Sequence, residues 1–173
     1  MNRTLEVFFT SPTKSHYLMD MSRKTGLAHT SIKKNLNRLV KLDIVAESVE
    51  RHGKRKFPFY KANLNSQLFK KYKKIYNITS IFDSKIAEFI EEKLAPRSIV
   101  LFGSYSGGED VEDSDVDIFV ECGKASIDLS VFEKKLERKI ELHFNENFSS
   151  YNNELKNNII NGVVLRGFLE GFR

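Results

Sequence analysis

A chain of 173 residues with 40% apolar and 12% aromatic side chains suits one medium domain or two small ones and is too apolar for disorder. No apolar run approaches the ~18 residues of a membrane span, so no span is expected, and the opening MNRTLEVFFTSP, with neither a long apolar stretch nor a small-residue cleavage site, does not read as a signal peptide. The net charge of +5 is uneven, and the single Cys122 cannot close an internal disulfide, which fits a reducing cytoplasm.

Residues 1–79 carry 17 Lys and Arg against 5 Asp and Glu, while residues 80–173 carry 11 against 18. A basic half followed by an acidic half predicts two modules with different partners, and the basic one is a candidate for nucleic acid. In chain order, Arg3 to Thr10 is a short apolar segment that stops at Ser11-Pro12. His16 to Thr25 reads as a short helix with Tyr17, Leu18 and Met21 inward, broken by Gly26. His29 to Leu42 places Ile32, Leu36, Leu39 and Val40 on one helical face, with Thr30 or Ser31 as N-cap. Its opposite face carries Lys33, Lys34, Asn37, Arg38 and Lys41. Two β-rich runs follow, DIVAESVE and FPFYKA, joined by the basic, glycine-containing RHGKRK.

This order resembles a winged helix-turn-helix domain over residues 3–62, carried by TGLAHTSIKKNLNRLVKLDIV and the hairpin after it. The resemblance implies binding of double-stranded DNA. The second helix would enter the major groove through Ser31, Lys34, Asn37 and Arg38, and the hairpin would reach phosphates or the minor groove through Arg51, Lys54, Arg55 and Lys56. Some winged helices bind protein instead, and that alternative stays open.

The segment QLFKKYKKIY predicts a helix with Leu68, Phe69, Tyr72 and Ile75 on one face and lysine on the other. A second helical run spans Ile81 to Leu94. The domain border is expected near residue 79, giving domains 1–79 and 80–173. A connection of this kind suits a homodimer.

The acidic half opens on the apolar strand SIVLF, which runs directly into Gly103-Ser104. Glycine permits a sharp turn and a close backbone approach to ligand, and exposed N–H groups there suit phosphate oxygens. Ten residues later comes Asp115-Val-Asp117-Ile-Phe-Val, a strand of period two with both carboxylates on one face and Val116, Ile118 and Val120 on the other. Two such charges at ~4 Å repel by roughly 1 kcal/mol in water and about 4 at an effective dielectric of 20. A hard divalent ion held by oxygen ligands, Mg²⁺ above all, is the natural counter-charge. Asp110 and Asp113 read as solvated loop acids. A helix over Ser126–Lys139 leads to KIELHF, where Glu141 and His143 share a face. Glu141 is placed like a third carboxylate; His143 reads as a strand residue near the site and not as a ligand.

Leu-Phe-Gly103-Ser104, ten residues, Asp115-x-Asp117 and then Glu141 between apolar neighbours resembles the minimal nucleotidyltransferases of the DNA polymerase beta superfamily, over about residues 82–170. The tail LKNNIINGVVLRGF is similar to the helix and final segment that close such domains. The resemblance implies an α+β chain with a small mixed-sheet α/β catalytic domain. It implies Mg²⁺, one or two ions, and transfer of a nucleoside monophosphate from an NTP, ATP being the expected donor, with release of pyrophosphate. Gly103 and Ser104 would hold the triphosphate. Asp115, Asp117 and Glu141 would hold metal and serve catalysis. Two departures stand out: Gly107 occupies the place of a usual arginine in GSYSGGE, and the third acid is Glu141 where Asp is common.

Two functions follow. One is a transferase acting on a protein, nucleic acid or small-molecule acceptor that a second subunit or partner protein holds; some minimal family members are antitoxins that adenylylate a partner toxin. The other is a DNA-binding regulator whose nucleotidyltransferase-like domain senses nucleotide or is inert.

Overall fold

The structure is a computed structural model that describes residues 2–146 and 148–170. It forms two compact units, one ending at Tyr76 and one beginning at Asn77. The first unit runs α1 (Arg3–Thr10), β1 (His16–Tyr17), α2 (Leu18–Thr25), α3 (His29–Lys41), β2 (Val45–His52) and β3 (Arg55–Ala62). Asn2 caps α1 by accepting from the Thr4 amide at 2.9 Å. The α1 residues Leu5, Val7, Phe8 and Phe9 bury against Met21 of α2 and Ile32, Leu36 and Leu39 of α3, so one apolar stripe per helix builds this core. The three strands pair antiparallel in the order β1-β3-β2.

Two sequence expectations need correcting in this unit. His16 and Tyr17 do not open a helix but extend as β1 and pair with Tyr60 and Phe59. Here tertiary contacts override local helix preference: His16 Nε2 lies 2.8 Å from the Ser11 carbonyl, and its ring sits edge-on to Phe8. Helix α3 is capped at Ala28 without a side-chain hydrogen bond, so Thr30 and Ser31 lie inside it.

Helix α4 (Gln67–Ser84) is continuous, and the break before α5 (Ile86–Leu94) falls at Lys85, in the left-handed region at φ 68°. Its buried stripe is Phe69, Lys73, Asn77, Ile81 and Ser84, while Tyr72 and Ile75, expected inside, are exposed.

The rest of the second unit comprises β4 (Ser98–Phe102), α6 (Gly103–Gly107), β5 (Val116–Val120), α7 (Ser130–Leu136), β6 (Ile140–Phe144), a 3₁₀ turn over Phe148–Ser150, α8 (Asn153–Ile160) and β7 (Val163–Gly167). Helix α7 is shorter than the Ser126–Lys139 span expected for it. Its four strands order as β6-β5-β4-β7; β4 pairs antiparallel with β5 and β7, and β5 pairs parallel with β6. All five β4 residues are buried, as expected of a central strand covered on both faces. On one face Ile99, Leu101, Ile118 and Val120 meet Ile81, Ile86, Ile90 and Leu129. On the other, Val100, Phe102 and Phe119 meet Phe148 and Ile159. Among the described residues no helix is long and apolar enough to cross a membrane.

Candidate active site

The site lies on the face of the sheet that carries Phe102 and Phe119. Strand β4 ends at Phe102, and α6 starts at once on Gly103, whose φ is +72°. That left-handed turn suits glycine. A second constraint coincides with it: a Cβ at this position would collide with the Asp117 carboxylate. The backbone of the Gly-Ser turn is thus pressed onto the acid that the Asp-x-Asp strand presents. Gly103 and Ser104 are exposed, whereas Tyr105 and Ser106 turn inward.

The ten residues between Ser104 and Asp115 form an anchored loop. Asp110, expected to be solvated, is 2% exposed. Its carboxylate accepts from Asn77 Nδ2 at 2.7 Å, and Arg138 Nη2 stands 3.7 Å away on an equally buried side chain. The same Asn77 amide donates to the Tyr105 carbonyl at 2.8 Å. Burying this carboxylate is tolerable only because opposite charge and donors surround it. The cluster ties together the middle of α4, the Gly-Ser turn and the residues that lead into β6. Ser114 closes the loop by accepting from the Val111 amide at 2.9 Å. Asp113 is exposed, as expected.

Parallel pairing of β5 with β6 sets Asp117 opposite Glu141 and Phe119 opposite His143. The ladder is pinned at its start by Val116 N donating to the Lys139 carbonyl at 2.8 Å and by Ile140 N donating to Glu133 Oε1 at 3.0 Å. His143 Nε2 comes within 3.2 Å of Asp117 Oδ1 and 4.0 Å of Glu141 Oε1. One ligand atom each from Asp117, Glu141 and His143 lie within 4.8 Å of one another. Asp115 stands just before the strand, outside that tight group. Burial pushes the Asp117 carboxyl above its ordinary range; the His143 hydrogen bond and charge pull it down, and the charges of Glu141 and Asp115 push it up again. Asp115 is therefore close enough to be felt. Two carboxylates and an imidazole converging on one point fit a divalent cation.

A cleft of about 540 Å³ opens beside Asp115, lined among others by Glu112, Asp113, Lys134 and Lys139. The sequence passed over His143 as a donor. Period-two alternation already put it on the face of Glu141, but only the strand register brings it to Asp117. Gly107 has room for a side chain, with Glu109 Cγ at 3.7 Å as the nearest atom to an added Cβ.

The residues expected to meet DNA are all exposed: Ser31, Lys34, Asn37 and Arg38 on α3, and Arg51, Lys54, Arg55 and Lys56 on the β2–β3 hairpin. Arg51 lies directly across from Lys56 in the ladder. Facing like charges destabilise a hairpin.

Residues 84–167 match the family model described as Polymerase beta, Nucleotidyltransferase, a span that lies wholly within the second unit. No curated protein and no solved structure matches the chain. Residues 84–167 are thus similar to the nucleotidyltransferase domain of the polymerase beta family.

Proposed function

We propose that the protein transfers a nucleoside monophosphate from an NTP, ATP being the expected donor, to an acceptor presented by a partner molecule. The observation that supports this reading most is the seating of the Gly103 turn on the Asp117 carboxylate, with Glu141 opposite in the ladder. It joins a phosphate-binding turn to a metal-binding pair. Gly103 and Ser104 hold the triphosphate through backbone N–H groups and the Ser104 hydroxyl. Asp115, Asp117 and Glu141 hold the divalent ion, Mg²⁺ in the simplest case, which when bound offsets the charge on the phosphates. The acceptor oxygen attacks the α-phosphorus; the bond to the bridging oxygen breaks, and pyrophosphate leaves with the electron pair. Glu141, with its side chain 61% exposed, is the member of the set best placed to take the acceptor's proton.

The test is calorimetric titration with a panel of NTPs and Mg²⁺, beside an Asp115→Ala/Asp117→Ala variant. Metal-dependent binding is expected for at least one NTP and should drop at least ~100-fold in the variant. If the wild type binds no NTP, the reading fails and the weight moves to a regulator with an inert domain.

A second reading concerns the first unit, and the Arg51–Lys56 apposition favours it. A hairpin that sets two cations face to face gains from a polyanion between or beside them. We propose that this unit binds double-stranded DNA in the manner of a winged helix-turn-helix, with α3 in the major groove and the hairpin on phosphates. Affinity is expected to fall steeply with salt. Lys34→Ala/Arg38→Ala should weaken binding across sequences and flatten the slope by about 1 for each phosphate that is no longer neutralised. Salt-titrated fluorescence anisotropy on mixed duplex measures both, and a flat salt response would refute the proposal.

A further inference from the structure

We propose that His143 supplies a nitrogen ligand to the metal site, so that the site takes a first-row transition ion such as Mn²⁺ in preference to Mg²⁺. The inference rests on the transferase reading of the same site but goes past it, because the sequence pattern alone asks only for oxygen ligands. Nε2 of His143 faces both carboxylates, at 3.2 Å from Asp117 and 4.0 Å from Glu141. That is the arrangement of three donors around a shared ion, and the nitrogen presented is the one that would ligate. The ring is oriented by packing as well: it meets Phe102 edge-on, with centroids 5.0 Å apart and planes at 67°. Phe102 immediately precedes Gly103, so the turn that approaches Asp117 also fixes the imidazole. The His143 and Asp117 side chains are each 25% exposed, leaving open coordination for water and phosphate oxygens.

Donor chemistry then decides the ion. Mg²⁺ demands near-octahedral oxygen coordination and sheds water reluctantly. Imidazole suits Zn²⁺, Fe²⁺ and Ni²⁺ best; Mn²⁺, the weakest of the first-row series, still takes a nitrogen ligand more readily than Mg²⁺ and so is the most stringent probe. Replacing one oxygen ligand by imidazole therefore shifts preference toward Mn²⁺, Co²⁺ or Zn²⁺ without closing the site to nucleotide.

The experiment uses the full chain and Mn²⁺ as probe, without nucleotide. Calorimetry gives the Mn²⁺ to Mg²⁺ affinity ratio, and pulsed electron paramagnetic resonance reports whether nitrogen is bonded to the bound Mn²⁺. For the wild type a ratio of at least ~10 and a nitrogen coupling are expected. In His143→Gln and His143→Ala the coupling should vanish and the ratio should fall several-fold; circular dichroism confirms that each is folded. Asp117→Ala should lose both ions, which ties the signal to this site. A wild-type Mn²⁺ signal without nitrogen coupling, or an unchanged ratio in both His143 variants, overturns the proposal. In that event Mg²⁺-dependent NTP binding would leave the transferase reading intact, whereas failure of both ions to bind, with or without NTP, would remove both.

Discussion

Replacing Asp110 with alanine is expected to cost the second unit about 3–5 kcal/mol of unfolding free energy, the usual loss when one member of a buried ion pair is deleted. The Arg138 guanidinium would stay buried after losing the carboxylate 3.7 Å away, and Asn77 would lose an acceptor at 2.7 Å. Asp110→Asn should cost less, because an amide oxygen can still accept from Asn77. The pair Asp110→Leu/Arg138→Met should recover most of the loss, since well-packed apolar replacement of both partners is often close to neutral. Urea unfolding of the four proteins measures this directly. A loss under ~1 kcal/mol in Asp110→Ala would show that the cluster is dispensable. The effect should also reach the chemistry, because the loop anchored by Asp110 leads straight into Asp115 and Asp117.

Gly103→Ala is expected to lower the rate of transfer at least ~100-fold while leaving the fold in place. Two costs add. A non-glycine residue at φ +72° carries strain of roughly 1–2 kcal/mol. The new methyl group also enters space held by the Asp117 carboxylate, so either the turn or the acid must move. A displacement of about 1 Å among reacting groups can by itself cost about 100-fold. Gly107→Ala serves as the control, since its nearest neighbour allows ordinary contact and its φ is not positive. Pyrophosphate release read alongside thermal melting separates the two costs. Wild-type turnover in Gly103→Ala would remove the turn from the proposed mechanism.

Much of the second unit could be read in advance because its signals are local. An apolar pentapeptide followed by Gly-Ser announces β4 and the turn, and strict alternation announces β5 and β6. What alternation leaves open is pairing. The approach of His143 to Asp117 depends on parallel register across a crossover of some twenty residues, which local periodicity does not encode. Asp110 misled for a related reason. An acid among glycines and further acids carries the composition of solvated loop, and Asn77 and Arg138, distant in sequence, make its burial tolerable. In α4 the apolar residues Tyr72 and Ile75 suggest the wrong inner face. The stripe that is actually buried includes Lys73 and Asn77, and hydropathy cannot flag a polar residue that tertiary partners satisfy. At His16, strand pairing with Tyr60 outweighs helix propensity.

The parallel β5–β6 ladder also joins parts of the site that are far apart in sequence. The turn at Gly103 and the pair Asp115 and Asp117 belong to two strands joined by one short connection, so they can come together early in folding. Glu141 and His143 reach the site only through the longer crossover that contains α7, and β7 pairs with the far side of β4. Without the β5–β6 pairing, Asp117 has neither Glu141 nor His143 beside it. A divalent ion held by Asp117, Glu141 and His143 together would therefore stabilise the β5–β6 pairing itself, because chains lacking it could not bind the ion as tightly.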